Sequence, residues 1–240
     1  MQQLSTSGVF RQVPSKPIVP QHLPPDVAPS DPTVLVVDDD DEVRQSLCDL
    51  LESVGMRAVG FGAGDELLES DLLDGPGCVI LDVRMPGLGG LALQARLAAS
   101  GRPKPVIFVT GHGDIPMTAQ AMKAGAVDFL TKPVRDQTLL DAVNAALLLD
   151  EKTRFQALAS KQNAQLYETL TPRERQVMSA VVEGSLNKCI AFDLGISEVT
   201  VKLHRASMMR KMCAKSVSHL VRAWQSLPAK TRESSHADLG

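Results

Sequence analysis

Three short runs, VLVV at 34–37, VIL at 79–81 and VIFV at 106–109, are apolar at every position and therefore on both faces of an extended strand. A strand of that kind needs cover on both sides, which a parallel sheet packed between two layers of helices supplies. Two further β-branched or aromatic runs, at 57–61 and 127–130, bring the candidate strands to five, with the first taken as 33–37, the third as 77–81 and the fourth as 105–109. The segments between them have helical period, as in 42–54, where Val43, Leu47, Leu50, Leu51 and Val54 share a face, and in 88–99. The pattern predicts an α/β fold, a doubly wound (βα)5 domain over residues 33–149.

The remainder of the chain has a different character. Residues 1–32 hold seven prolines and few large apolar side chains, a composition that cannot offset the entropy of ordering, so they are expected to be a disordered tail. From about residue 138 no Gly or Pro interrupts the chain until Pro172, so the last helix of the first domain is expected to run on as a helical linker over 150–169. A second, all-α unit of four helices is expected over 170–226, with a flexible tail at 227–240. Thr171-Pro172-Arg173-Glu174 has the form of a capping box, Gly184 and Gly195 are helix stops, and Ser197 and Ser216 are N-caps.

Charge divides along the same boundary. Residues 1–149 carry 11 Lys and Arg against 19 Asp and Glu, whereas residues 150–240 carry 14 against 9. The acidic part suits cations and the basic part suits phosphates. Cys48, Cys78, Cys189 and Cys213 are too scattered for a disulfide framework or a zinc site and are expected to be buried thiols. No apolar run approaches the roughly 18 residues of a membrane span and no signal peptide begins the chain, so a cytoplasmic protein with no membrane contact is expected.

Ligands of open α/β sheets sit beyond the carboxyl ends of the strands. There the sequence places Asp38 and Asp39 after strand one, Asp82 after strand three, Thr110 after strand four, and Lys132-Pro133 after strand five. Three carboxylates in one place repel unless a cation joins them, and an oxygen-only set favours Mg²⁺. Asp82 can then act as a nucleophile toward phosphorus, with Lys132 and Thr110 stabilising the phosphoryl oxygens. Singly, each Asp reads as well as a helix cap; the order of the set across four strands is what carries the chemistry.

With VLVVDDD at 34–40, VILDVRMPG at 79–87, VTGHGD at 109–114 and AGAVDFLTKP at 124–133, the chain resembles a response-regulator receiver domain over 33–149, and its last two stretches resemble the FixJ branch. The resemblance implies that Asp82 is the phosphoacceptor. It also implies that Asp38, Asp39, Asp82 and the backbone carbonyl of Arg84 hold Mg²⁺, and that Phe129 turns inward when Thr110 follows the phosphate. The Lys132–Pro133 bond is expected to be cis. Gly89-Gly90 departs from the family pattern, in which an acidic residue or Ser precedes the Gly. A haloacid-dehalogenase-type phosphatase is set aside because Arg84 stands where its general acid would be, and Gly60 to Gly64 reads as a turn and not a dinucleotide loop.

Residues 187–194 and 197–212 read as a helix-turn-helix, with Ile190, Leu194, Ile196, Val199 and Leu203 expected in its packing. The second helix and its exit carry Lys202, Arg205, Arg210, Lys211 and Lys215 against Glu198 alone, which charge by itself leaves balanced between a DNA surface and an ordinary basic face. LTPRERQV at 170–177, NKCIAFDLGIS at 187–197 and VTVKLHRASMMRKM at 199–212 resemble the LuxR/FixJ-type DNA-binding domain. The resemblance implies that Thr200, Lys202, Leu203, His204, Ala206 and Ser207 lie at or near the major groove. Asn187, Lys188, Arg205 and Lys211 would touch the DNA backbone. The whole chain is thus expected to be a FixJ-type response regulator, not an enzyme. Its partners would be a sensor histidine kinase, promoter DNA and RNA polymerase, and it would form a homodimer on phosphorylation. A constitutive DNA-binding protein with an inert acidic domain is the rival, disfavoured by an intact Asp82, Thr110 and Lys132.

Overall fold

The computed structural model describes residues 31–101, 103–111, 114–229 and 231–232. The proline-rich segment up to residue 30 and the tail from 233 lie outside the described residues. Five parallel strands, β1 (Thr33–Val37), β2 (Arg57–Phe61), β3 (Gly77–Leu81), β4 (Val106–Thr110) and β5 (Asp128–Thr131), form one sheet in the order β2-β1-β3-β4-β5. Strands four and five each lie one residue later than the hydrophobic runs alone place them, so Thr110 is the last residue of β4 and not the first of a loop.

Alternation within the apolar runs divides the core in two. Val34, Val36, Cys78, Ile80, Ile107 and Val109 face α1 (Asp41–Ser53) and the first turns of α5 (Asp136–Glu168). Leu35, Val37, Val79, Leu81, Val106 and Phe108 face the other way, toward α2 (Gly64–Glu69), α3 (Gly90–Ala99) and α4 (Ile115–Lys123). Each face removes large side chains from water at roughly 1.5–3 kcal/mol apiece, so a polar substitution in β1, β3 or β4 is expected to be costly on whichever face it points.

The helix after Pro133 runs on through the stretch expected to be a helical linker: α5 is unbroken for 33 residues. Its middle is fastened to the sheet. Asp150, buried, accepts from the Gly77 N–H at 2.9 Å and from Arg154 Nε at 2.9 Å, and Arg154 reaches the carbonyls of Asp74 and Gly75. Burial, reinforced by the Asp150 charge, pushes the neighbouring Cys78 thiol up to about 12, while Lys104 opposes that shift. Its end belongs to another core, since Tyr167 is buried edge-on against Trp224. The stretch expected to be only a linker is therefore a shared element.

The helical unit continues with α6 (Pro172–Val182), α7 (Asn187–Leu194), α8 (Glu198–Lys211) and α9 (Val217–Ser226). The expected caps are all present: Thr171 and Glu174 bond reciprocally, Ser197 accepts from the Thr200 N–H, Ser216 accepts from the His219 N–H, and Gly195 adopts φ 63°. Leu227, expected to open a flexible tail, is buried in the core formed with Val177, Met178, Ile190, Val201, Met208 and Leu220. Two further expectations fail. Cys189 and Cys213 are exposed, and only Cys48 and Cys78 are buried.

Candidate functional site

Backbone hydrogen bonds between strand ends assemble the acidic pocket. The Asp82 N–H donates to the Val37 carbonyl, the Asp38 N–H to the Phe61 carbonyl and the Lys132 N–H to the Thr110 carbonyl, so β1, β3 and β5 deliver the residue after their ends, and β4 its last residue, to one edge. Asp38, Asp82 and Thr110 are all buried, at 2%, 7% and 1% exposure, and burying two carboxylates side by side calls for a counter-charge. Lys132 supplies it. Its Nζ lies 2.6 Å from Asp38 Oδ2 and 3.4 Å from Asp82 Oδ1. Burial alone would depress the lysine, but the hydrogen bond and charge of Asp38, together with Asp82, outweigh it and hold the ammonium above its ordinary value.

The other carboxylate oxygens are held by backbone. The Arg84 N–H donates to Asp82 Oδ2 at 2.7 Å and the Asp40 N–H to Asp38 Oδ1 at 3.0 Å. Gly90, the Gly that the family pattern keeps, is required here: a Cβ there would stand 2.2 Å from the Asp82 carbonyl oxygen, so α3 starts closer to the strand end than any side chain permits. The departure lies at Gly89, where a Cβ would meet the Val83 carbonyl at an ordinary 3.5 Å, and nothing in the structure explains it. Phe129 is half-buried with its ring 5.8 Å from that of Phe108, and the Lys132–Pro133 bond is cis as expected. Asp39 is exposed at the rim. Among the described residues no three His, Cys, Asp or Glu side chains stand together as a metal-binding group; the ammonium of Lys132 bridges Asp38 and Asp82.

The residues expected to contact DNA do not share one surface. Lys188, Lys202, Leu203 and Ala206 are exposed. Arg205 is turned aside, donating to Asn187 Oδ1 at 2.8 Å and tying α8 to α7. Thr200 and Ser197 bond through their hydroxyls at 2.8 Å, and His204 is half-buried. Lys211 lies 2.7 Å from Glu174 Oε2 and reaches the Thr169 carbonyl. Glu174 is itself buried; that burial would raise its pKa, but hydrogen bonds from Lys211, Ser207 and Thr171 override it and hold the carboxyl at about 2. Ser207 and Lys211 thus serve the scaffold in this structure. Val199 and Leu203, expected in the packing, are each 67% exposed, because the inner face of α8 is taken by Val201 and Met208.

The residue that sequence reasoning missed at this surface is Val199. Its signal lies in the two phases of apolar residues along α8: Val201 and Met208 fall seven apart on one side, while Val199, Leu203 and Ala206 fall four and three apart on the other.

Both parts of the chain have counterparts among known proteins. Residues 34–144 match the family described as response regulator receiver domain, and residues 168–224 match bacterial regulatory proteins of the luxR family. Nodulation protein W of Bradyrhizobium diazoefficiens is 50% identical over 194 residues, covering 81% of this chain and 86% of that protein. The transcriptional regulatory protein FixJ of Azorhizobium caulinodans is 44% identical over 189 residues, 79% of this chain and 90% of its own. The solved structure of response regulator StyR superposes with a TM-score of 0.69 at 45% identity, over 82% of this chain and 99% of that one. Relatives that carry both parts over four-fifths of the chain account for the pocket and the helix pair together: the chain belongs to the FixJ-like response regulators, phosphorylation-dependent transcription regulators that are not enzymes.

Proposed function

We propose that Asp82 takes a phosphoryl group from a sensor histidine kinase and that the resulting change lets α8 and its surroundings bind promoter DNA. The observation that carries this reading is the bridging ammonium of Lys132 over two buried carboxylates, one of which has its second oxygen fixed by the Arg84 N–H. With Oδ2 so held, Asp82 Oδ1 attacks phosphorus, the P–N bond of the phosphohistidine breaks, and an acyl phosphate forms. Lys132 then pairs with a phosphoryl oxygen and the Thr110 hydroxyl donates to another.

Receiver domains of response regulators generally use Mg²⁺. The donor set fits a hard cation, since Asp38, Asp39, Asp82 and the Arg84 carbonyl offer only oxygen. Bound there, Mg²⁺ neutralises charge on the phosphoryl oxygens. With a cation held by these oxygens, the ammonium of Lys132, which here pairs with Asp38 and Asp82, would be available to a phosphoryl oxygen.

The readout face is α4 with β5. Ile115 and Met122 are exposed there, at 86% and 44%, and Phe129 of β5 is half-buried and packs with Phe108. Movement of Thr110 toward the phosphoryl group opens room for the Phe129 ring and repacks this face into a homodimer contact. The dimer presents two helix pairs to DNA and recruits RNA polymerase in the cytoplasm. Among the described residues no helix is long and apolar enough to cross a membrane.

The test is DNA affinity and sedimentation of the full chain with and without a small phosphodonor plus Mg²⁺. Phosphorylation is expected to raise both the dimer fraction and the affinity. Thr110→Ala is expected to uncouple them while still accepting phosphate. An unchanged monomer–dimer equilibrium in the phosphorylated wild type would overturn the dimer switch.

A further inference from the structure

We infer that the chain reads thymine methyl groups through an apolar strip, Val199, Leu203 and Ala206, along the outer face of α8; this rests on the DNA-binding reading above. The spacing of four and three places the three side chains on one face, opposite Val201 and Met208, both of which are fully buried. Single exposed apolar residues are ordinary, but Val199 and Leu203 are neighbours one turn apart, each 67% exposed, with the exposed Lys202 along one edge and the exposed Arg210 continuing the same face one turn beyond Ala206. An apolar strip with one cation at its edge and another at its C-terminal end suits a surface that is negative at its edges and apolar at its centre. The major groove has that character where thymines lie between phosphate backbones.

Hydrogen-bond readout from the same face is limited by what the other side chains already hold. Arg205 is bound to Asn187, Lys211 and Ser207 to Glu174, and the Thr200 hydroxyl to Ser197. No Asn or Gln lies within α8 to take an adenine edge in the bidentate manner. What remains on the N-terminal part of the face, the part that a helix-turn-helix sets against base edges, is contact without hydrogen bonds, and the base feature that offers it is the C5-methyl of thymine. Lys202 and Arg210 are left to the phosphates.

The experiment uses the full chain, treated with a small phosphodonor and Mg²⁺, to select duplexes from a random-sequence pool. Each thymine in the enriched half-site is then replaced singly by deoxyuridine, which removes only the methyl. At least one replacement is expected to weaken wild-type binding roughly fourfold, the worth of one methyl-sized apolar contact. Leu203→Ala or Val199→Ala is expected to abolish that particular penalty while leaving the phosphate-driven salt dependence in place. Enriched sites in which no deoxyuridine replacement matters would overturn the inference and leave the DNA-binding reading standing. The same would follow if the penalty were equal in wild type and both variants. Failure to enrich any sequence would overturn both.

Discussion

Two lysines of this chain make nearly the same contact and do opposite things. Lys132 lies 2.6 Å from Asp38, and Lys211 lies 2.7 Å from Glu174; in both pairs the carboxylate is buried and the lysine is partly exposed. In the receiver pocket a second buried carboxylate, Asp82, stands 3.4 Å from the same ammonium, so negative charge exceeds positive and a further cation has a place in the balance. Around Glu174 the remaining capacity is filled by the Thr171 N–H at 2.8 Å, the Thr171 hydroxyl and Ser207. Nothing is left over there for a ligand. An ion pair marks a functional site when its partners are unsatisfied as a group, and a structural bolt when they are saturated.

The largest effect expected to sharpen that contrast comes from the backbone beneath the pocket. Gly90→Ala would force a Cβ against the Asp82 carbonyl, and the receiver is expected to lose about 3 kcal/mol, the upper part of the usual overpacking range. Hydrogen exchange in β1 and β3 should rise while α6 to α9 are unchanged. A stable Gly90→Ala protein would mean that the loop after Asp82 yields, and that the pocket is less fixed than the strand-end hydrogen bonds suggest.

Next in size is the bolt. Lys211→Ala leaves Glu174 buried without its cation and is expected to cost roughly 2 kcal/mol, less than the roughly 3–5 kcal/mol of a fully buried pair because Lys211 is itself partly exposed. The chain's single tryptophan, Trp224, lies in the core of the helical unit and reports its unfolding directly. Because the Glu174 pKa is lowered from 4.5 to about 2, its contribution is fully present above the unfolded value and is lost as pH falls from about 5 toward 2. Glu174→Gln is expected to flatten stability of this unit across that window. An acid limb of the same slope in wild type and Glu174→Gln would show that the carboxylate is not held as the geometry implies.

The smallest effect separates the scaffold from the DNA face. Lys202→Ala should leave stability within about 0.5 kcal/mol of wild type, as for an exposed position, and reduce the log–log salt slope of DNA binding by roughly 0.9. Lys211→Ala should do the reverse. Equal salt slopes for Lys202→Ala and wild type would remove Lys202 from the phosphate contacts.

The receiver was far more legible in the sequence than the DNA face, for a geometric reason. Strand ends are marked by the residue at which an apolar run stops, and parallel pairing brings those ends to one edge, so Asp38, Asp82, Thr110 and Lys132 could be placed together from order alone. A helix has no such marker for its rotation. The basic residues of α8 fall all around it, and only the packing of Val201 and Met208 decides that Lys202 points out while Ser207 and Lys211 point toward Glu174. The capping residues were legible because their bonds span three residues. The Asp150 to Gly77 bond, 73 residues apart and inside what reads as a linker, leaves no local trace.

The proposed switch requires Asp82 to be the group that accepts phosphate. Mass spectrometry of the intact chain after treatment with acetyl phosphate and Mg²⁺, followed by peptide mapping, tests this directly. One acid-labile phosphoryl group should appear on the peptide containing Asp82, and Asp82→Asn should take up none. Equal labelling of wild type and Asp82→Asn, or a phosphoryl group mapped to Asp38 or Asp39, would contradict it.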